Sequence, residues 1–149
     1  MEDRHLCKAR PIGTRKQWVT GFYAVLGEKT VIIVNEPEKF YDVDSGKNSH
    51  GNKIVEVIPN TICQCTAMPD KNRKIAYEHD IIKTTVGNAK IVWNCTQTPE
   101  DNHINVGFEV VFHDATANDN YRHDLGYWIG KSEVIGNIFD NQELLEVRL

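Results

Sequence analysis

At 149 residues, 40% hydrophobic and 26% charged, the chain has the size and balance of one ordinary domain or two very small ones, which excludes wholesale disorder and removes any need for disulfide staples. A formal net charge of -4 offers no general attraction to phosphate backbones, so sequence-independent nucleic-acid binding is disfavoured. No apolar run approaches the roughly 20 residues of a membrane helix, and Met1-Glu2-Asp3-Arg4-His5 leads into no hydrophobic segment, so a soluble, cytoplasmic protein is expected.

Apolar residues recur at short, β-like intervals and are punctuated by Gly, Asn and Asp, which predicts a mostly β fold. The first strand is 17–25, with Trp18, Val19, Phe22 and Tyr23; Leu26-Gly27-Glu28-Lys29 turns it into a second, 30–34, as a hairpin. Residues 35–52 are polar, with Pro37, Gly46, Asn48, Ser49 and Gly51, and read as a long exposed loop. Within it Phe40, Tyr41 and Val43 either pin the middle to the body or form a short edge strand. A third strand, 53–58, stops at Pro59, which has no amide proton for a central ladder.

Residues 61–66 are extended, Asp70-Lys71-Asn72-Arg73 is a turn, and 74–77 leaves it as a strand. Three further strands follow at 80–85, 89–94 and 106–112, the first two joined at Gly87-Asn88. The polar stretches 96–105 and 114–124 read as loops, and 127–129 with 133–138 as closing strands. At the end, Asp140 or Asn141 caps one or two helical turns that dock Leu144 and Leu145.

Chemistry-bearing residues do not assemble into a recognisable site, and no catalytic, cofactor-binding or metal-binding residue is expected. Cys63 and Cys65 share a strand face, but Cys7, Cys95 and the histidines stand at no usual zinc spacing, so inert thiols are expected. Tyr77-Glu78-His79-Asp80 contains an acid, a base and a phenol, yet neighbours on a strand point to opposite faces and cannot converge on one substrate. His5, His50, His79, His103, His113 and His123 lie mostly in polar segments; His113-Asp114 with His123-Asp124 could bracket a cation, although decoration of a loop is the plainer reading. Trp93, Phe108, Phe112, Tyr127 and Trp128 could stack unpaired bases if they lined one surface, but alternation turns most of them inward, and Lys83, Lys90, Arg122 and Lys131 are scattered.

Two blocks carry a family resemblance. Residues 66–82, Thr-Ala-Met-Pro-Asp-Lys-Asn-Arg-Lys-Ile-Ala-Tyr-Glu-His-Asp-Ile-Ile, resemble the signature Thr-Gly-Leu-x-Asp-Lys-Asn-Gly-Lys-x-Ile-Tyr-Glu-Gly-Asp-Ile of the YopX family of phage and prophage proteins. Residues 133–145, Glu-Val-Ile-Gly-Asn-Ile-Phe-Asp-Asn-Gln-Glu-Leu-Leu, are similar to its C-terminal Val-Ile-Gly-Asn-Ile-Tyr-Glu-Asn-Pro-Glu-Leu-Leu. Trp18-Val19-Thr20-Gly21 and Val57-Ile58-Pro59-Asn60-Thr61 match weaker positions. Arg73 and His79 replace glycines of the pattern, and Gln142 replaces a proline.

The residue pattern gives an N-terminal β-hairpin and small sheet over 1–65, with the polar loop near 35–52, and the resemblance implies a mostly β fold. It implies a C-terminal SH3-like small β-barrel with a short helix over 66–149, the alternative being that the two form one compact unit. It also implies a phage-encoded accessory protein of the bacterial cytoplasm that forms homo-oligomers and acts on a host or phage protein without catalysis, with no cofactor. A single-stranded nucleic-acid binder is the alternative. The matched residues read as scaffolding: Asp80 satisfies turn amides and Gly136 permits a bulge or close strand approach. Edge strands of the N-terminal half are the expected oligomer contact.

Overall fold

The short-interval apolar pattern becomes twelve strands among the described residues. The computed structural model describes residues 5–13, 17–34, 38–42, 47–51, 53–98 and 103–146; the side chains at 38–51, 95–98 and 103–105 lie outside that description. The chain divides into two units, residues 1–64 and 65–149.

In the first unit β1 (Cys7–Ala9), β2 (Val19–Leu26), β3 (Lys29–Val34), β6 (Ile54–Glu56) and the opening of β7 (Cys63–Pro69) form an antiparallel sheet in the order β6-β3-β2-β1-β7. Leu26 faces Lys29 across a two-residue turn, and Gly27 sits there at φ +65°, a conformation that disfavours a side chain. Ala9, Ile32 and Val57 are buried together, with Cys7, Val19, Val55 and Ile62 packed against them. The expected loop at 35–52 contains a two-stranded ribbon, β4 (Glu38–Asp42) with β5 (Lys47–Gly51), paired from Glu38↔Gly51 to Asp42↔Lys47, so Phe40 and Tyr41 take the strand alternative. Val43 and Gly46 lie outside the described residues.

The second unit contains the rest of β7, β8 (Ile75–Tyr77) and a four-stranded antiparallel sheet in the order β11-β10-β9-β12. Its strands are β9 (Asp80–Thr84), β10 (Gly87–Thr98), β11 (His103–Phe112) and β12 (Glu133–Asn137). Between β11 and β12 lie two short helices, α1 (Ala115–Asn120) and α2 (Leu125–Trp128), and a 3-10 turn at Ile129–Lys131. A core forms from Ala76, Ile82, Ala89, Ile91, Val110 and Phe112 on the sheet side and Ala117, Leu125, Trp128 and Ile129 on the helical side. Phe112 and Trp128 meet edge to face at 5.3 Å, an arrangement worth about 1 kcal/mol beyond the area buried. Ile81 and Ile82 are both fully buried; neighbours on a strand point to opposite faces, so β9 is covered on both sides.

Several expectations from the sequence change here. The SH3-like barrel is not closed: among the described residues no pairing joins β12 to β11. The strand expected at 127–129 is helical, because Leu125, Trp128 and Ile129 recur at helical spacing and pack inward. The expected loop at 114–124 holds α1, capped by the Asp114 carboxylate, which accepts from the Thr116 amide at 2.7 Å. The expected loop at 96–105 is in part strand, since β10 and β11 stay paired as far as Thr98↔His103. The β9–β10 turn is Thr85-Val86 rather than Gly87-Asn88: Thr84 already faces Gly87, and the Thr84 hydroxyl donates to the Gly87 carbonyl at 2.7 Å and accepts from the Val86 amide. The terminal helical turn is a 3-10 turn, Gln142–Leu145, whose Asn141 makes no side-chain cap.

Candidate functional site

The first matched block is a run of tight turns. Lys71, Asn72 and Arg73 make a three-residue loop in which the Asp70 amide donates to the Lys74 carbonyl at 2.8 Å and Arg73 stands at φ +66°. Glu78 and His79 connect β8 to β9, with His79 at φ +70°. Ala67, at φ +59°, lies in an irregularity of the β7–β8 pairing between Cys65 and Pro69. These are the non-glycine residues with left-handed φ among the described residues, and each stands where the resembled pattern has glycine. Left-handed backbone costs a side-chain-bearing residue roughly 1–2 kcal/mol, which explains the glycines. The Ala67 departure is one the sequence reading passed over.

Asp70 holds this region together. Its Oδ1 accepts from the amides of Asn72 and Lys74 at 2.8 and 2.9 Å, and its Oδ2 accepts from the amide of Val134 on β12 at 2.9 Å. Burial alone would raise its pKa, but the Val134, Lys74 and Asn72 amides and the Lys74 ammonium outweigh burial and hold the carboxyl below its ordinary value. Asp80 does the same work on a smaller scale, accepting the Tyr77 amide at 2.8 Å. In the second matched block the β12–β9 register shifts between Val134 and Gly136, and a Cβ on Gly136 would overlap the Asn141 amide group. The glycine thus permits both a bulge and a close approach.

Of the residues weighed for chemistry, Glu78 and His79 meet, with the His79 Nε2 3.9 Å from the Glu78 carboxylate, but no larger group gathers among the described residues. Tyr77, Glu78, His79 and Asp80 are arranged on a turn rather than along a strand; the His79 ring packs edge-on to Phe139 at 5.7 Å, and its backbone is tied to Ile91 and Ile138. His113 Nδ1 contacts the Asn88 carbonyl at 3.0 Å, His123 Nε2 contacts the Asn118 carbonyl at 2.6 Å, and Asp114 caps α1. Each is engaged locally, so His113, Asp114 and His123 do not converge. Cys63 donates to the Thr61 carbonyl at 3.2 Å. Cys7 pairs in register with Gln64 and so faces away from Cys63. Among the described residues no group of three or more His, Cys, Asp or Glu is arranged for a metal. His5 is exposed; the side chains of Cys95, His50 and His103 lie outside the described residues.

The aromatic residues divide into two sets. Phe112 and Trp128 belong to the core, and the Trp128 Nε1 donates to the Arg122 carbonyl at 2.7 Å. Tyr127 is exposed and receives Arg122 at 4.9 Å and Lys131 at 3.4 Å over its ring, so these two cations converge. Lys83 is exposed on β9 opposite Glu133, and Lys90 is half-buried on β10.

The most distinctive surface is the outer half of the β10–β11 hairpin. Ala89↔Phe112, Ile91↔Val110, Trp93↔Phe108 and Cys95↔Val106 are directly opposite, and alternate pairs share one face. On that face Ala89, Ile91, Val110 and Phe112 are core, whereas Trp93 is 47% and Val106 59% exposed. Trp93 and Phe108 stack edge to face at 4.8 Å. The ladder of β9 on β10 reaches only Lys90, so among the described residues the apolar face continues beyond it on the paired β10–β11 ribbon alone. Beside it, Val106–Glu109 and Arg122–Asp124 border an open cleft of about 540 Å³.

A family model described as "YopX protein" matches residues 25–146. No curated protein matches the chain.

Proposed function

The chain belongs to the YopX family, and from that premise we propose that it is a phage- or prophage-encoded accessory protein that works without catalysis, as a homo-oligomeric protein-interaction module in the bacterial cytoplasm. One observation carries this reading: the face that is core at Ile91 and Val110 continues outward as exposed Trp93, Val106 and half-buried Phe108. Large apolar side chains on a paired, preformed hairpin favour contact with another protein surface, since covering them releases water at little entropic cost. A two-fold pairing of identical faces covers them on both copies at once. The alternative, a single-strand nucleic-acid binder using these aromatics, draws support from Tyr127 between Arg122 and Lys131.

The test is light scattering on the purified protein across the micromolar range, with Trp93→Ala beside it. The reading expects a wild-type mass above one chain and a Trp93→Ala mass shifted toward one chain, with thermal stability little changed. A wild type that stays monomeric throughout, with no protein partner recovered from the induced host, contradicts it.

A further inference from the structure

We propose that two copies of the chain join edge to edge through β11, in an antiparallel β11–β11 pairing centred on Val106 that merges their four-stranded sheets into one. This joint rests on the self-association argued above and adds how the copies meet. β11 is an outer strand of its sheet, and the direction of its backbone groups identifies the open part of that edge. The Val110 amide donates to the His123 carbonyl at 2.7 Å and the Phe112 amide to the Asn118 Oδ1 at 2.8 Å, so both point away from β10. Alternation along the strand aims the Val106 and Phe108 amides the same way. The segment that covers β11 stops at the Glu109↔Asp124 bridge, and among the described residues the amides of Val106 and Phe108 meet no acceptor. The open cleft of about 540 Å³ beside Val106–Glu109 gives an incoming strand room.

Other stretches of edge in this sheet are occupied. On β12 the Val134 amide donates to the Asp70 carboxylate at 2.9 Å, the Asn137 amide donates to the Asn141 Oδ1 at 3.3 Å, and the strand bulges between Val134 and Gly136, which keeps that edge from pairing. On β11 the Asn118 side chain engages both backbone groups of Phe112, its Nδ2 donating to the Phe112 carbonyl at 2.6 Å. Charge selects a second copy as the occupant of the stretch left open. Residues 93–98 and 103–108, the outer half of the hairpin, contain no Asp, Glu, Lys or Arg in a chain that is 26% charged. A two-fold joint sets residues near their own mates, where a charge would repel its copy. A neutral strand suits self-pairing and offers a charged partner nothing to recognise. About the axis, the Val106 amide of each copy donates to the Val106 carbonyl of the other, and the Val106 side chain, 59% exposed in one copy, gains cover on both.

The experiment is sedimentation equilibrium of the full chain across the micromolar range, with two variants that act on the edge and spare the apolar face at Trp93. Gly107 alternates with Val106 onto the opposite face, and a Cβ there meets nothing within 4 Å, so Gly107→Lys sets a positive charge at the joint near its own mate. Val106→Pro keeps an apolar side chain and removes an amide that points away from β10, a change an edge strand accepts. The wild type is expected at a mass of two chains or a multiple of two. Each variant should raise the dissociation constant about tenfold or more, and added salt should restore part of the loss in Gly107→Lys alone. Thermal unfolding of both variants separates a lost joint from a lost fold, and Gly107→Lys keeps the test decisive if Val106→Pro does not fold. A wild type that stays monomeric removes the self-association and this joint with it. A wild type that associates while either folded variant associates equally well overturns the edge pairing alone and leaves the apolar face as the contact.

Discussion

Replacing Asp70 by Asn changes one oxygen into an amide group and nothing in size, yet it should weaken the fold substantially. The Asn carbonyl can still accept from Asn72 and Lys74, but its NH2 then meets the Val134 amide donor at 2.9 Å. The variant loses the charge assistance on three hydrogen bonds and leaves a donor unsatisfied at a site only 5% exposed, a combined cost of about 3 kcal/mol. For a chain of this length that corresponds to roughly 6–12 °C in Tm. The pH dependence supplies an independent check. The folded carboxyl titrates below its ordinary value of 3.8, so the unfolded chain binds the proton more readily, and the contribution is full above the unfolded pKa and disappears as pH falls through the folded one. Urea unfolding of wild type and Asp70→Asn should therefore show a gap that is constant near neutrality and closes below about pH 4. A gap under about 0.5 kcal/mol at neutrality, or one that persists unchanged into acid, would refute this account of Asp70.

Arg73→Gly relieves left-handed strain at φ +66° and should raise stability by about 0.5–1 kcal/mol; His79→Gly should gain less, because it also removes the edge contact with Phe139, and urea midpoints rank the two. Gly136→Ala drives a methyl into Asn141 and should cost about 1–3 kcal/mol, with part recovered in the double variant Gly136→Ala/Asn141→Gly, as a double-mutant cycle would reveal. Leu125→Ala should cost about 2–5 kcal/mol, since Leu125 is fully buried under the second sheet; near-neutral unfolding would mean that α2 does not cover this core.

The sequence announced local features well and distant ones poorly. Gly27 marked its turn, Asp70 and Asn72 marked theirs, and Gly136 marked the bulge, because each of these depends on backbone angles or bonds within a few residues. The β1 strand of Cys7–Ala9 was illegible, since three residues are too few to display a period. The polar ends of β10 and β11 looked like loop, because a ladder can extend on cross-strand hydrogen bonds where its composition shows no apolar run. Residues 127–129 read as strand but are helical, because in so short a segment a helical period and a strand period are hard to tell apart.

Sites were harder still to read. The Asp70 contact to Val134 spans 64 positions, so it leaves no motif. The exposed apolar face at Trp93 and Val106 was hidden for the opposite reason: its alternation is the same inside the core and beyond it, and only burial separates the two.

Amide hydrogen exchange of residues 91–94 and 106–110, followed as the protein is diluted, bears most directly on the claim that a second copy covers the hairpin face. Protection there should fall on dilution while the amides of Ile81 and Ile82 keep theirs. Protection that is the same at every concentration would leave the face without a partner of its own kind.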